Sequence, residues 1–288
     1  MTIKKRIGIV KKSIVEIKAI VEDCRSHIPG SIKTGIMLWE SCVIPFLINN
    51  SSTWLQMKES DMNILFKLEN SFYNSLLEVK NCPTMAMYWD IGSLVFPLRI
   101  LKEKLFLYHH ISCLPENSVA NQVLLIQERQ NFPSLRDEII QFLRKYEIVD
   151  VRKFSKLAWK KYVKQKLNEM NREYILGKAK DLKKLDHISM ACEEYGMKDY
   201  FCCLNLSDSP IKFRERSKCM TSCRTDYPSD KENVKAMFEC YHCEEIDSVG
   251  LHWKSCAGYA HLRENRNLQL DTDLCGYYRD IINLRKNA

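Results

Sequence analysis

Glycine and proline are scarce in this chain, at 9 and 8 of its 288 residues. So few turn-forming residues argue against a disordered chain and against a β protein with many tight turns. Long apolar runs are missing too, because the longest apolar stretch, residues 36–48, is short and is interrupted by Glu40. We therefore expect no membrane span, and the basic start of the sequence predicts no signal peptide.

The familiar catalytic motifs are also absent. The chain contains no G-x-G-x-x-G, no phosphate-binding Gly-Lys-Ser/Thr loop, no G-x-S-x-G and no His-Glu-x-x-His. It has no Asp-Asp dipeptide, so the two-metal motif of polymerases is missing. A Cys/His catalytic pair stays open, but nothing local marks one. We expect a binding module and not an enzyme.

What the chain does have is apolar residues at helical spacing along most of its length. The predicted helices cover about residues 3–24, 32–48, 58–79, 84–90, 98–111, 119–130, 133–146, 209–216 and 274–285. Pro45 is expected to bend or end the second of them. The fold is predicted to be mainly α, with a loose linker at residues 225–233 before the C-terminal region.

Thirteen cysteines are many for such a chain, and their number is odd. Apart from one cluster near the C-terminus, six are scattered singly and four sit as Cys202-Cys203 and Cys219-x3-Cys223. This distribution indicates mostly free thiols in a reducing compartment, the nucleus and/or the cytoplasm. Four potential ligands, by contrast, form the pattern C-x2-C-x8-H-x3-C: Cys240, Cys243, His252 and Cys256. The two thiols of the first pair lie on one turn, and His252 and Cys256 lie one helical turn apart. Zn²⁺ prefers four such N/S ligands in a tetrahedron.

Full coordination by four side chains leaves no position for water, so the predicted Zn²⁺ would stabilise structure and would not perform hydrolysis. The alternative interpretation is a set of unliganded thiols. A second metal pair at Cys219 and Cys223 is also open. Tyr241, Trp253 and Tyr259 lie in or beside the cluster, where they either stack on bases or form a small core around the metal turn.

The strongest charge feature is the segment 152–184, a predicted helix with twelve basic and three acidic residues. Its excess of basic over acidic residues is larger than the net charge of +8 of the whole chain. Apolar residues recur on one side of it at spacings of 4, 4, 3 and 4: Trp159, Val163, Leu167, Met170 and Tyr174. A helix with one packed and one cationic face suits a phosphate backbone. The alternative is a solvated lysine-rich face.

The candidate nucleic-acid contacts are basic or aromatic side chains on this helix, on the helix near residue 211 and in the Cys/His cluster. They are Lys153, Lys156, Lys160, Lys161, Lys164, Arg214, Arg216, Tyr241 and Trp253.

Several phrases of the chain together resemble the region after the palm in non-LTR retrotransposon reverse transcriptases. They are M-L-W-E-S-C-V-I-P at residues 37–45, N-S-S-T-W at 50–54, Y-W-D-I-G at 88–92 with Arg99 and Lys102, and His110 with P-E-N-S at 115–118. Further on come K-x-Y at 198–200, F-R-x-R at 213–216, and the cluster continued as C-x2-Y-x2-L-R to Arg263. The likeness extends over nearly the whole chain.

This resemblance implies a fragment without the catalytic palm. Residues 1–80 would be a thumb-like helical region, 81–206 a helical connector that contains the basic helix, and 207–288 a C-terminal zinc-binding module. In that family the connector and the zinc module help hold template RNA and target DNA during target-primed reverse transcription. The four metal ligands carry over, and no catalytic residue does.

We therefore expect a non-catalytic, zinc-stabilised protein that binds RNA and/or DNA, with no membrane and no small-molecule substrate. The alternative is a zinc-containing scaffold for protein–protein interaction, in which the lysines only keep the chain soluble.

Overall fold

The computed structural model describes residues 3–23, 29–53, 58–77, 79, 84–129, 135–180, 195–204, 208–217, 240, 243, 252–264 and 266–287. This part of the chain is mainly α, as predicted, and holds no β-strand. The α-helices are α1 (Ile3–Asp23), α2 (Ser31–Leu38), α3 (Ile44–Ile48), α4 (Glu59–Leu76), α5 (Thr84–Ile91), α6 (Phe96–Ser112), α7 (Val119–Arg129), α8 (Leu135–Lys145), α9 (Lys156–Lys180), α10 (Tyr200–Cys203), α11 (Asp208–Arg216), α12 (Ala260–Arg263) and α13 (Asp271–Asn287).

Pro45 does not end the second predicted helix. A π-helical turn, Trp39–Val43, joins α2 directly to α3, and the backbone N–H of Ile44 bonds the carbonyl of Trp39 five residues earlier. In a regular α-helix the proline ring would clash with the carbonyl four residues before it. The wider π turn moves that carbonyl away and lets the helical path continue, with proline in the first turn of α3.

The same stretch, Ser31–Ile48, is the one helix in the described residues with the length and composition of a membrane span. Half of it is buried inside the protein. Glu40, within it, accepts two hydrogen bonds from the guanidinium of Arg99 at 2.6 and 2.7 Å. An internally paired carboxylate and a half-buried surface are features of a helix in a soluble core.

The chain divides into two compact units built from interleaved segments. Unit 1 contains residues 1–15, 38–71 and 92–177, and unit 2 contains residues 16–37, 72–91 and 178–288. The division into the segments 1–80, 81–206 and 207–288 stays a prediction. The linker at 225–233 and the Cys219/Cys223 pair lie outside the described residues.

The core of unit 1 contains a buried ion-pair network centred on Arg99 of α6, which is 3% exposed. Besides Glu40, the guanidinium bonds Glu69 at 3.0 Å, and Glu69 is fully buried. The same carboxylate accepts the indole N–H of Trp39 at 3.3 Å. Each buried charge thus has an opposite charge and hydrogen bonds, the condition under which buried ions are tolerated.

The basic helix α9 is fixed within unit 1 by two buried polar contacts. The amide of Asn171 donates to the carbonyl of Ser93 at 2.8 Å and accepts from the N–H of Val95 at 3.1 Å. The indole N–H of Trp159 donates to the carbonyl of Leu105 in α6 at 3.0 Å. One face of α9 is therefore held against the turn before α6 and against α6 itself.

The predicted apolar stripe of α9 is confirmed at Trp159, Val163 and Leu167, which are buried. It is wrong further along, because Tyr174 is 39% exposed, Met170 is only partly buried, and Asn171 and Ile175 take the buried positions. The buried positions thus follow one another at a spacing of four. A polar residue can occupy the fourth of them because the amide of Asn171 is hydrogen-bonded to backbone groups and leaves no unpaired polar atom.

Unit 2 contains its own polar centre at Asp90 of α5. Its carboxylate accepts from the hydroxyl of Tyr200 at 2.8 Å and from the guanidinium of Arg216 at 2.9 Å. The backbone N–H of Lys198 bonds the Asp90 carbonyl at 3.0 Å. These bonds join α5, α10 and α11 although the partners lie more than a hundred residues apart in sequence.

Candidate metal centre and basic face

The four predicted metal ligands come together. Cys240, Cys243, His252 and Cys256 each offer a ligand atom, and all four atoms lie within 4.8 Å of one another. A 3₁₀ turn, His252–Lys254, begins the second half of the site, and the N–H of Cys256 bonds the carbonyl of His252 at 2.8 Å. The predicted one-turn separation of the last two ligands is therefore confirmed, and the cluster could hold a metal ion.

Two sulfur–sulfur distances within the cluster fit a tetrahedral ion. The Sγ atoms of Cys240 and Cys256 are 3.6 Å apart, and those of Cys256 and Cys243 are 3.8 Å apart. Two thiolates on one tetrahedral Zn²⁺ would be separated by about 3.8 Å. The Nε2 atom of His252 lies 2.9 Å from Sγ of Cys243, in hydrogen-bond contact. A shared ion would move this pair to about 3.5 Å, a side-chain adjustment only.

The thiol of Cys256 is held in its protonated form without a metal. Burial, followed by a hydrogen bond with Cys240, raises the pKa of Cys256 to about 12. Cys240 and Cys256 are buried, whereas Cys243 is exposed and His252 is half-buried. A bound cation would reverse the effect of burial, because a coordinating thiol is deprotonated outright. The cluster is therefore buried at Cys240 and Cys256 and accessible to solvent at Cys243.

Hydrogen bonds behind the ligands involve the residues that follow Cys256 in the pattern C-x2-Y-x2-L-R. Arg263 donates to the carbonyl of Cys256 at 2.7 Å and to the hydroxyl of Tyr277 at 3.1 Å. That hydroxyl donates to the carbonyl of Trp253 at 2.7 Å. The turn that presents the second ligand pair is thereby bonded to α13.

Trp253 and Tyr259 are fully buried and belong to one core with Cys240, Cys256 and residues of α11 and α13. The Trp253 ring packs against Tyr277 at 5.6 Å and Tyr278 at 5.7 Å between centroids. A ring without an accessible face cannot stack on a base in this conformation, so the small-core interpretation of these two residues is favoured. Tyr241 lies outside the described residues.

The basic face of α9 consists of lysines that project into solvent. Lys156, Lys160, Lys161 and Lys164 of α9 are all exposed, and so is Lys153, in the 3₁₀ turn Val151–Lys153 just before it. None of the five forms an ion pair within the described part of the chain. Their charge is therefore not neutralised internally. The continuation of the predicted helix at residues 181–184 lies outside the described residues.

The two candidate arginines of α11 are placed differently. Arg216 is bound to Asp90 through two hydrogen bonds at 2.9 and 3.3 Å, and its side chain is 19% exposed. Arg214 is half-buried. Arg216 thus stabilises unit 2 through an internal ion pair, and its guanidinium is not free to bind a phosphate unless that pair opens.

A cavity beside the start of α9 was not predicted from the sequence. It has a volume of about 570 Å³ and lies where the end of α6 meets the first turn of α9. His109 and His110 both line it. The only feature of the sequence that could have indicated this cavity is the presence of aromatic residues in both α6 and the start of α9. Such residues are equally typical of a buried core.

The Cys113–His109 contact in this cavity is not a nucleophile–base pair. Sγ of Cys113 lies 3.8 Å from Nε2 of His109, but Nε2 lies closer, at 3.0 Å, to the carbonyl of Phe154. A carbonyl only accepts, so Nε2 carries the proton and cannot remove one from the thiol.

No protein-family model, curated protein or solved structure matches this chain.

Proposed function

We propose that this protein is a non-catalytic nucleic-acid-binding module that holds the phosphate backbone of RNA or DNA on the lysine face of α9. The observation that carries the proposal is the set of exposed, unneutralised lysines on a helix fixed by Asn171 and Trp159. Cations on a rigid support bind a polyanion without first breaking internal ion pairs. The resemblance to the region after the palm of retroelement reverse transcriptases supports the same function.

The spacing of the lysines suits a phosphate chain. Lys156, Lys160 and Lys164 are four residues apart on one helix, so their Cα atoms rise by about 6 Å from one to the next. The phosphates of one strand of a duplex rise by about 3.4 Å each along the duplex axis. If α9 lay along that axis, successive lysines would meet about every second phosphate, with Lys153 and Lys161 beside this row.

Zinc is the ion we assign to the C-terminal cluster. Three thiolates and one imidazole are soft to borderline ligands, which select Zn²⁺ over Mg²⁺ or Ca²⁺. The four side chains complete a tetrahedron, so the ion's role is structural. In this proposal the ion orders the C-terminal region around the cluster.

A second candidate function, a scaffold for protein–protein interaction, is favoured by α7. Val119, Val123 and Ile126 are 79%, 46% and 50% exposed and lie at spacings of four and three, on one side of the helix. An exposed apolar stripe of this kind is a common feature of docking surfaces.

The deciding experiment measures the salt dependence of binding to a labelled single-stranded oligonucleotide by fluorescence anisotropy. If all five lysines contact phosphates, the slope of log Kobs against log[KCl] is about −3.5, at about 0.7 per contact. The variant Lys153→Gln/Lys161→Gln/Lys164→Gln should reduce it to about −1.4.

The matched control is Lys5→Gln/Lys11→Gln/Lys12→Gln in α1, because these lysines are also exposed and belong to the same unit. It removes the same charge, and its slope should stay at the wild-type value. Equal losses in the two variants would mean that net charge and not α9 governs binding. A wild-type protein that does not bind, or binds with a flat salt response, would favour the scaffold.

A further inference from the structure

The cavity beside α9 has the volume and the mainly aromatic lining of a ligand-binding site. Its volume of about 570 Å³ falls within the range of about 300–1,000 Å³ typical of such sites. The lining residues come from α6, from the turn before α9 and from the first turn of α9: Phe106, His109, His110, Cys113, Phe154, Ser155, Lys156, Trp159 and Lys160. Five of these nine carry aromatic rings.

One wall is a rigid stack of rings. The His109 ring lies parallel to Trp159 within 13°, at 5.5 Å between centroids, and the ring of Tyr162, outside the lining, also stacks with the indole, at 6.2 Å and within 15°. The indole N–H is bonded to Leu105, and Nε2 of His109 is bonded to Phe154. These two nitrogen atoms are thus already paired. Phe106 and Phe154 are only half-buried and offer apolar ring surface to a ligand.

The charge at the cavity is of one sign. Lys156 and Lys160 line it, and no carboxylate is found among the nine lining residues. The ammonium of Lys160 lies 5.7 Å from the centroid of the Phe106 ring. The same site therefore offers aromatic surface for a flat ring and cations for a group attached to that ring. A ligand that is both planar and anionic matches this combination.

We propose that the cavity receives an unpaired nucleobase of a single-stranded RNA or DNA, with the adjoining phosphates on Lys156 and Lys160. This inference rests on the proposed function, because Lys160 also belongs to the phosphate row of α9. Every base has a flat aromatic face, so stacking in the cavity tolerates any sequence. A base inside a duplex is already stacked and paired, so the site selects single strands.

The test compares an oligonucleotide with an abasic strand of the same length, at equal salt, by fluorescence anisotropy. Both carry the same phosphates, so only contacts to bases distinguish them. The wild-type protein should bind the intact strand about 5- to 100-fold more tightly. Cys113→Phe places a large side chain in the cavity without changing charge and should remove most of this difference. Cys42→Phe, at another exposed cysteine of unit 1, should retain it.

Circular dichroism checks that each variant keeps its helix content. A second and milder cavity variant is His110→Ala, at an exposed residue of the lining. Equal binding of intact and abasic strands would refute base capture and leave the α9 function standing. Base-dependent binding unchanged in both cavity variants would place the bases elsewhere and overturn the assignment. A free mononucleotide that binds as tightly as the strand would make this a small-nucleotide site. No binding of either strand at low salt would overturn both proposals.

Discussion

Zinc binding to the Cys/His cluster should depend steeply on pH. Cys240, Cys243 and Cys256 must each lose a proton to act as ligands, and thiols of ordinary pKa near 8.5 are mostly protonated at neutral pH. Each displaced proton changes the apparent association constant by about tenfold per pH unit. Three thiols predict a loss of about a thousandfold when the pH falls from 7.5 to 6.5, since protons then compete better with the metal.

Deprotonation of Cys256 opposes metal binding with a large free energy. Its thiol is 1% exposed, and its pKa is raised from 9.0 to about 12 by burial and by the hydrogen bond with Cys240. At about 1.36 kcal/mol per pKa unit, removing this proton costs about 4 kcal/mol more than for an ordinary thiol. Structural zinc sites supply about 10–16 kcal/mol at pH 7, so the ion still binds.

The assay is competition with a chelator of known affinity at several pH values, together with elemental analysis of the purified protein. Cys256→Ser should bind zinc more weakly and reduce the pH effect to about a hundredfold per unit, because one fewer proton is displaced. Cys275→Ser is the matched control. Cys275 is equally buried in the same core, and its thiol bonds the carbonyl of Asp208 at 3.6 Å.

Two results would refute this reasoning. One is a purified protein that binds no transition metal at all. The other is a pH effect that is the same in the wild-type protein and in Cys256→Ser, which would mean that this thiol does not ligate the ion. Equal weakening by Cys275→Ser would assign the loss to damage of the core.

Three further predictions concern stability. In the metal-free protein the raised pKa of Cys256 gives stability that is fully present below pH 9 and is lost as the pH rises towards 12. Urea unfolding of the metal-free protein should show this loss, and the zinc-bound protein should not show it. Glu69→Ala leaves the buried Arg99 with one carboxylate partner fewer. It should lower the free energy of unfolding by about 3 kcal/mol in the same urea assay. An unchanged free energy of unfolding would show that this ion pair does not stabilise the fold. Asn171→Leu leaves the N–H of Val95 unpaired and should cost about 1–3 kcal/mol by thermal melting, whereas Asn168→Leu, exposed on the same helix, should change little.

The helices and the metal cluster were predictable because both depend on short-range spacing. Apolar residues three and four apart form one face of a helix wherever that helix packs. Cys240 and Cys243, and likewise His252 and Cys256, are near each other in sequence, so a single turn brings each pair together. Pro45 was expected to bend or end its helix, and the helical path continues past it through a π-helical turn.

The sequence by itself determined a helical chain, a cluster that could hold a metal and a lysine-rich helix, because each follows from residues within a few turns of one another. Only the tertiary structure decided which side chains are available to a ligand. It buried Trp253 against α13, paired Arg216 with Asp90, and left the lysines of α9 exposed. The cavity at Trp159 is likewise formed by segments some fifty residues apart, as its bond to Leu105 shows. Such contacts depend on how helices pack, and no local periodicity specifies that packing.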